Sequence, residues 1–177
     1  ISAGYGINKK DNWVFLMQQK FYEEGKSIKL INSSVSGDTT GGGLGRLAKN
    51  LKKFNPDFVL IELGGNDALR GYSINLIKSN LEKMIALAKQ NKSKVLLMQI
   101  RIPPNYGQKY THAFEKIYVD LAQTEKVYLL PFMLEEIGIN SELMQPDGIH
   151  PNKKAQPQIA KEMKKNIDKF LLFNQSN

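Results

Sequence analysis

The feature that most constrains this chain is a repeated exchange between two kinds of segment. Short apolar runs, "SIKLINSSV" (27–35), "DFVLIEL" (57–63), "KVLLMQI" (94–100) and "VYLLPF" (127–132), are separated by longer stretches of helical spacing. Those stretches cover 12–24, 43–53, 74–91 and 110–124, and a last one follows at 153–173. The short runs are rich in leucine and β-branched residues, as strands buried on both faces are. Parallel strands need crossovers of a dozen or more residues, and helices provide them. The pattern predicts an α/β fold, a parallel sheet covered by helices on both sides in three layers. No repeat, low-complexity tract or long linker interrupts the sequence, so a single domain over 1–177 is expected.

The beginning departs from the rhythm. Residues 1–8, "ISAGYGIN", form a glycine-bearing loop that leads into the first helix without a strand ahead of it. A loop feeding a helix in this architecture follows a strand, so a further, central strand is expected upstream of Ile1.

Composition narrows the chemistry. Cysteine is absent, which excludes disulfides, thiolate catalysis and cysteine-ligated metals. The longest apolar runs ("FVLI", "VLLM") are far short of a bilayer span, so no stable membrane insertion is expected. The net charge of +8 comes from lysine, since only Arg46, Arg70 and Arg101 are arginines among the 25 basic residues. The lysines scatter over helices ("KNLKKF", "KEMKKNIDKF") without interleaved aromatics. That is a solvated basic surface rather than a nucleic-acid face.

Three loops carry the residue types of acyl-transfer chemistry. In "DGIHP" (147–151), Asp147 and His150 are three residues apart, so a carboxylate can brace an imidazole as a general base requires. "GGND" (64–67) ends the run 57–63, at the carboxyl edge where parallel sheets build sites. There Asn66 offers an amide donor and Asp67 a carboxylate; an ordinary turn is the competing reading. "SGDTTGGGLG" (36–45) lacks the Lys-Ser/Thr pair of a phosphate-binding P-loop. Its Gly37 offers a backbone N–H, and Asp38 is expected to cap the helix that follows, with Thr39 as the alternative cap. A metal site built from Asp38, Asp67, Asp147 and His150 would hold a single histidine and no zinc-like spacing, so no metal is expected. His112, in "YTHAFEKIYVDLA", reads as a partly exposed helix residue.

In order along the chain, "SAGYG", "SGDT", "GGND" and "DGIHP" resemble the blocks of the SGNH, or GDSL-type, hydrolases. The similarity continues through "IELGGNDALRG", "LLMQIRIPPNYG" and "LLPF", and is strongest to the bacterial thioesterase I, lysophospholipase and arylesterase group. That family's nucleophile motif is Gly-Asp-Ser, then an aliphatic residue, then Ser-Ala-Gly-Tyr. Ile1 and Ser2-Ala3-Gly4-Tyr5 fit its latter part, which puts the nucleophilic serine directly before Ile1. Ser2 matches the second serine of the motif and reads as a hydrogen-bonding loop residue.

The resemblance implies a flavodoxin-like three-layer fold and a serine esterase or thioesterase working through an acyl-enzyme. His150 would be the base, Asp147 its orienting carboxylate, and Gly37 and Asn66 donors of the oxyanion hole. Leu69, Ile102 and Tyr106, in the loops "ALRGYS" and "IPPNYG", are expected to line an acyl groove. The substrates would be small acyl esters or thioesters: fatty acyl-CoA, lysophospholipid or aryl esters. No cofactor, a monomer, and a periplasmic or secreted location are implied, although no signal peptide is visible. The rival reading is a non-catalytic lipid- or carbohydrate-binding module of the same fold.

Overall fold

The computed structural model describes residues 1–175. The chain falls into two compact units, Gly37–Phe132 and a second made of residues 1–36 with the chain from Met133 onward.

The Gly37–Phe132 unit holds a parallel sheet of β1 (Phe58–Ile61), β2 (Lys94–Met98) and β3 (Tyr128–Leu130), in the order β1-β2-β3. Phe58 aligns with Lys94 and Ile61 with Leu97; Leu96 aligns with Tyr128 and Met98 with Leu130. The short apolar runs at 57–63, 94–100 and 127–132 thus form strands, each shorter than its run.

The helices around this sheet follow from capping and apolar spacing. In α2 (Thr40–Phe54) the Thr39 side chain accepts from Gly42 N. The helix stops where Asn55 turns left-handed (φ 40°) before Pro56. α2 begins three residues before the expected 43, and its first turn is "TGGG". Each helical glycine costs about 1 kcal/mol against alanine. A cap and close packing offset that cost, because a Cβ on Gly43 would overlap Leu63.

α3 (Gly65–Leu69) is a short turn of helix, and α4 (Ile74–Gln90) and α5 (Gln108–Thr124) form the crossovers. α4 and α5 pack on each other and on β2. Ile77, Leu81, Met84, Ile85 and Ala88 of α4 repeat at helical spacing. They meet Phe114, Ile117, Tyr118 and Leu121 of α5 and Val95 and Leu97 of β2 in one core. Burying each Leu or Ile there contributes roughly 1.5–3 kcal/mol.

The other unit is built on α1 (Trp13–Glu23) packed against α6 (Gln156–Gln175). Trp13, Met17 and Phe21, at i, i+4 and i+8, are buried, as are Ile159, Ala160, Met163 and Phe170. The Asn12 side chain caps α1 by accepting from Val14 N (2.9 Å), and Gln156 Oε1 accepts from Trp13 N (3.0 Å). The helix expected from 153 starts as a 3-10 turn at Lys153–Ala155 and becomes α-helical at Gln156.

One expected strand does not form. The run 27–35 pairs with no strand. Instead the Gln18 amide of α1 donates to Ile28 O (2.8 Å) and accepts from Leu30 N (2.7 Å). Asn32 Nδ2 donates to Ser2 O (2.7 Å). Apolar β-branched residues favour an extended chain, but a strand exists only through a neighbouring strand, and no ladder is formed by these residues. No helix among the described residues is long and apolar enough to cross a membrane.

Candidate active site

The candidate residues fall into two groups, one in each unit. In the residue 1–36 and 133-onward unit, the base loop is closed by a bridge between Met144 and Pro151. Within it, Asp147 Oδ1 accepts from the backbone N–H groups of Ile149 (2.9 Å) and His150 (3.0 Å). Asp147 Oδ2 lies 2.8 Å from His150 Nδ1. The two backbone donors, more than the imidazole, hold the Asp147 carboxyl down at about 2. An ionised carboxylate only accepts, so Nδ1 carries the hydrogen and Nε2 is left as the basic nitrogen. The loop therefore holds, from residues three apart, a carboxylate-braced imidazole, the arrangement a general base requires.

Tyr5 lies against that base, its ring centroid 4.7 Å from the His150 ring at 37°. Its part was not legible beforehand. Nothing in the motif "SAGYG" ties Tyr5 to His150, 145 positions away. Ser2 is buried; its Oγ accepts from the Trp13 indole (3.1 Å) and its carbonyl from Asn12 Nδ2 (3.2 Å). It is a loop anchor, as its hydrogen-bonding reading expected.

In the Gly37–Phe132 unit, the turn "GGND" starts α3. Gly64 precedes it at φ 115°, a conformation L-residues avoid, and a Cβ there would overlap the Tyr118 hydroxyl. Burial first, and then the Asp67 carboxylate, push that hydroxyl well above its usual range, and it donates to Leu63 O (2.9 Å). Asn66 Nδ2 donates to Asp38 O (2.9 Å), and Arg70 Nη2 to Gly37 O (3.2 Å). The two predicted oxyanion residues are thus joined through one turn, Gly37-Asp38.

Asp67 is buried at 1% exposure and accepts from Thr40 N (2.8 Å) and Thr40 Oγ1 (2.5 Å), while Asn80 Nδ2 donates to Thr40 Oγ1 (3.0 Å). This carboxylate fastens the α3 turn to the start of α2. The helix cap expected of Asp38 belongs to Thr39. Asp38 instead accepts from Thr39 N (3.0 Å) and pairs with Arg46, at 2.8 Å from Nε and 2.7 Å from Nη2. Its carboxylate is drawn to a guanidinium one helical turn and more along α2, and the threonine hydroxyl takes the cap.

Of the expected groove residues, Leu69 is half-buried against the core and Tyr106 is 39% exposed in a 3-10 turn. Ile102 is 7% exposed and packs within the core itself. His112 is exposed on α5.

Residues 1–156 match the GDSL-like Lipase/Acylhydrolase family. The chain belongs to that family. It is 46% identical over 171 residues to an arylesterase of Vibrio mimicus, covering 97% of this chain and 86% of the relative. It is 43% identical over 167 residues to the thioesterase 1/protease 1/lysophospholipase L1 of Escherichia coli (strain K12), covering 94% of this chain and 79% of the relative. The crystal structure of the psychrotrophic esterase EstA from Pseudoalteromonas sp., inhibited by monoethylphosphonate, matches with a TM-score of 0.95 at 42% identity. That match covers 96% of this chain and 93% of the esterase. The family member described here is an ester-hydrolysing enzyme with the α/β fold of the SGNH esterases.

Proposed function

We propose that this hydrolase cleaves acyl esters and thioesters through an acyl-enzyme, in the steps that follow. A serine directly before the aliphatic position Ile1 of the family motif attacks the carbonyl. His150 Nε2 takes its proton and returns it to the leaving alcohol or thiol. Asp147 keeps the imidazole in the required tautomer and stabilises it once charged. The oxyanion is held by the serine's own N–H, the Gly37 N–H and the second N–H of Asn66, whose first is occupied by Asp38 O. Water, deprotonated by His150, then releases the acid.

The observation that carries this reading is the 2.8 Å contact between Asp147 and His150 Nδ1. Phosphonate inhibition of the Pseudoalteromonas esterase is what a nucleophile-based mechanism expects of a relative. The relatives' names span aryl esters, thioesters and lysophospholipids. For this chain we propose the same acyl range, with Leu69 and Tyr106 on the acyl side and Ile102 behind them, and a periplasmic location.

The test is fluorophosphonate labelling of the full-length protein with peptide mapping, run beside His150→Ala. A label on the serine preceding Ile1, lost or strongly slowed in the variant, supports the mechanism. A label on Ser2, or undiminished labelling without His150, overturns it. No label, with a folded protein that binds lipid without turnover, points to the binding module.

A further inference from the structure

His150 is half-buried on a short loop, with its ring bonded to Asp147 and lying against Tyr5. A general base displaced by about 1 Å can lose about a hundredfold in rate. Something must therefore tie the loop to a segment outside it, and the bonds of Asp147 stay within the loop.

Gln145 meets the requirement. Its backbone N–H donates to His150 O (2.7 Å), and its backbone carbonyl accepts from Gly148 N (3.0 Å). Its side-chain amide donates twice, to Pro151 O (3.1 Å) and to Tyr5 O (2.8 Å). Beside the Met144–Pro151 bridge, Gln145 bonds the base loop on both sides of His150 and ties it to the segment whose ring lies on the imidazole. A primary amide is the side chain with two neutral N–H donors on one nitrogen, which is what two backbone carbonyls need. Gly6 completes the fit: it sits at φ 67°, and a Cβ there would lie 2.8 Å from Gln145 Oε1. Pro151 adds a covalent restriction, since the residue before proline is held to extended conformations.

We propose that Gln145 is the positioning residue of the base, holding His150 in register by bridging the Tyr5 and Pro151 carbonyls, with Gly6 kept free of a side chain to admit the amide. This rests on His150 being the base. Gln145 touches no reacting atom; it acts through the backbone on either side of the imidazole and through the placement of the Tyr5 ring.

The test uses three variants of the full-length protein, Gln145→Leu, Gln145→Glu and Gly6→Ala, with His150→Ala as reference. Leucine removes both donors. Glutamate keeps the shape and sets an anionic oxygen against two carbonyls. Alanine at 6 displaces the amide without changing residue 145. For each, kcat and KM on an aryl ester, the pH–rate profile, thermal unfolding and the low-field proton resonance of the His150 Nδ1–H are recorded.

We expect kcat to fall about 10- to 100-fold with KM nearly unchanged, and the Nδ1–H resonance to broaden or move. The double variant Gly6→Ala/Gln145→Leu should be no slower than Gln145→Leu alone, because both remove one bridge. A wild-type resonance and pH profile in folded Gln145→Leu and Gln145→Glu overturn the inference, whatever the stability. So does full additivity in the double variant. If His150→Ala itself retains activity, the base assignment fails first; if it is inactive while the Gln145 variants run at wild-type rate, only the positioning role fails.

Discussion

The base loop and the oxyanion turn are held in opposite ways. Asp147 and His150 are neighbours in sequence, half-exposed, and joined by bonds spanning two or three residues. Asn66 and Asp67 are joined to their partners across 28 and 27 residues, and Asp67 is buried. In the proposed mechanism the base changes charge during each turnover. The proposed oxyanion donors have only to stay still, and long-range bonds around the buried Asp67 hold the turn that carries Asn66. The contrast teaches that damage should separate: changes in the base loop should cost rate, and changes beneath the oxyanion turn should cost stability as well.

The sharpest separation comes from His150→Ala or Asp147→Asn. Either should lower kcat about ten-thousandfold, with the unfolding temperature barely moved in His150→Ala and modestly lowered in Asp147→Asn. Steady-state kinetics beside calorimetry decide it; a large loss of stability would show the base loop to be structural. Next, Asn66→Ala should lower kcat about a hundredfold to a thousandfold with KM little changed, one oxyanion donor being lost. A rise in KM alone would mean that Asn66 binds the ground state instead.

Asp67→Ala should destabilise by about 1–3 kcal/mol, because the Thr40 N–H and hydroxyl lose their acceptor in a buried setting. Chemical denaturation measures it, and an unchanged midpoint would contradict the proposed fastening of α3 to α2. The smallest effect concerns acid. Asp147 titrates at about 2 in the fold against an ordinary 3.8, so ionisation is favoured by folding. That contribution is complete above the ordinary value and disappears as pH falls through about 2. Wild type and Asp147→Asn should differ in stability at neutral pH and converge as the solution is acidified toward pH 2. Curves that stay parallel would mean that the backbone bonds to Asp147 add nothing.

How much was legible follows from range. Asp147 and His150 were legible because a carboxylate three residues before an imidazole can reach it whatever surrounds them. The three strands of the sheet were legible because an apolar run between helix-length crossovers has few other ways to be buried. The run 27–35 was misread as a strand because it has the right residues, while pairing depends on a neighbour, and the Gln18 amide holds it instead. Asp38 was misread as a cap because Arg46, eight positions along, competes for its carboxylate. Ile102 was read as groove lining from its place in a loop, although the chain turns it into the core.

By itself, then, the sequence determined what local geometry and solubility dictate: the alternation of strand and helix, the absence of thiol chemistry, the Asp147–His150 pair and the family blocks. Only the tertiary structure decided that Tyr5 lies on His150, that Gln145 bridges two carbonyls 146 positions apart, and that Asp67 is sunk beneath Thr40. Those contacts join residues far apart along the chain. Their energies depend on which surfaces are buried together, and no local pattern of residues encodes that.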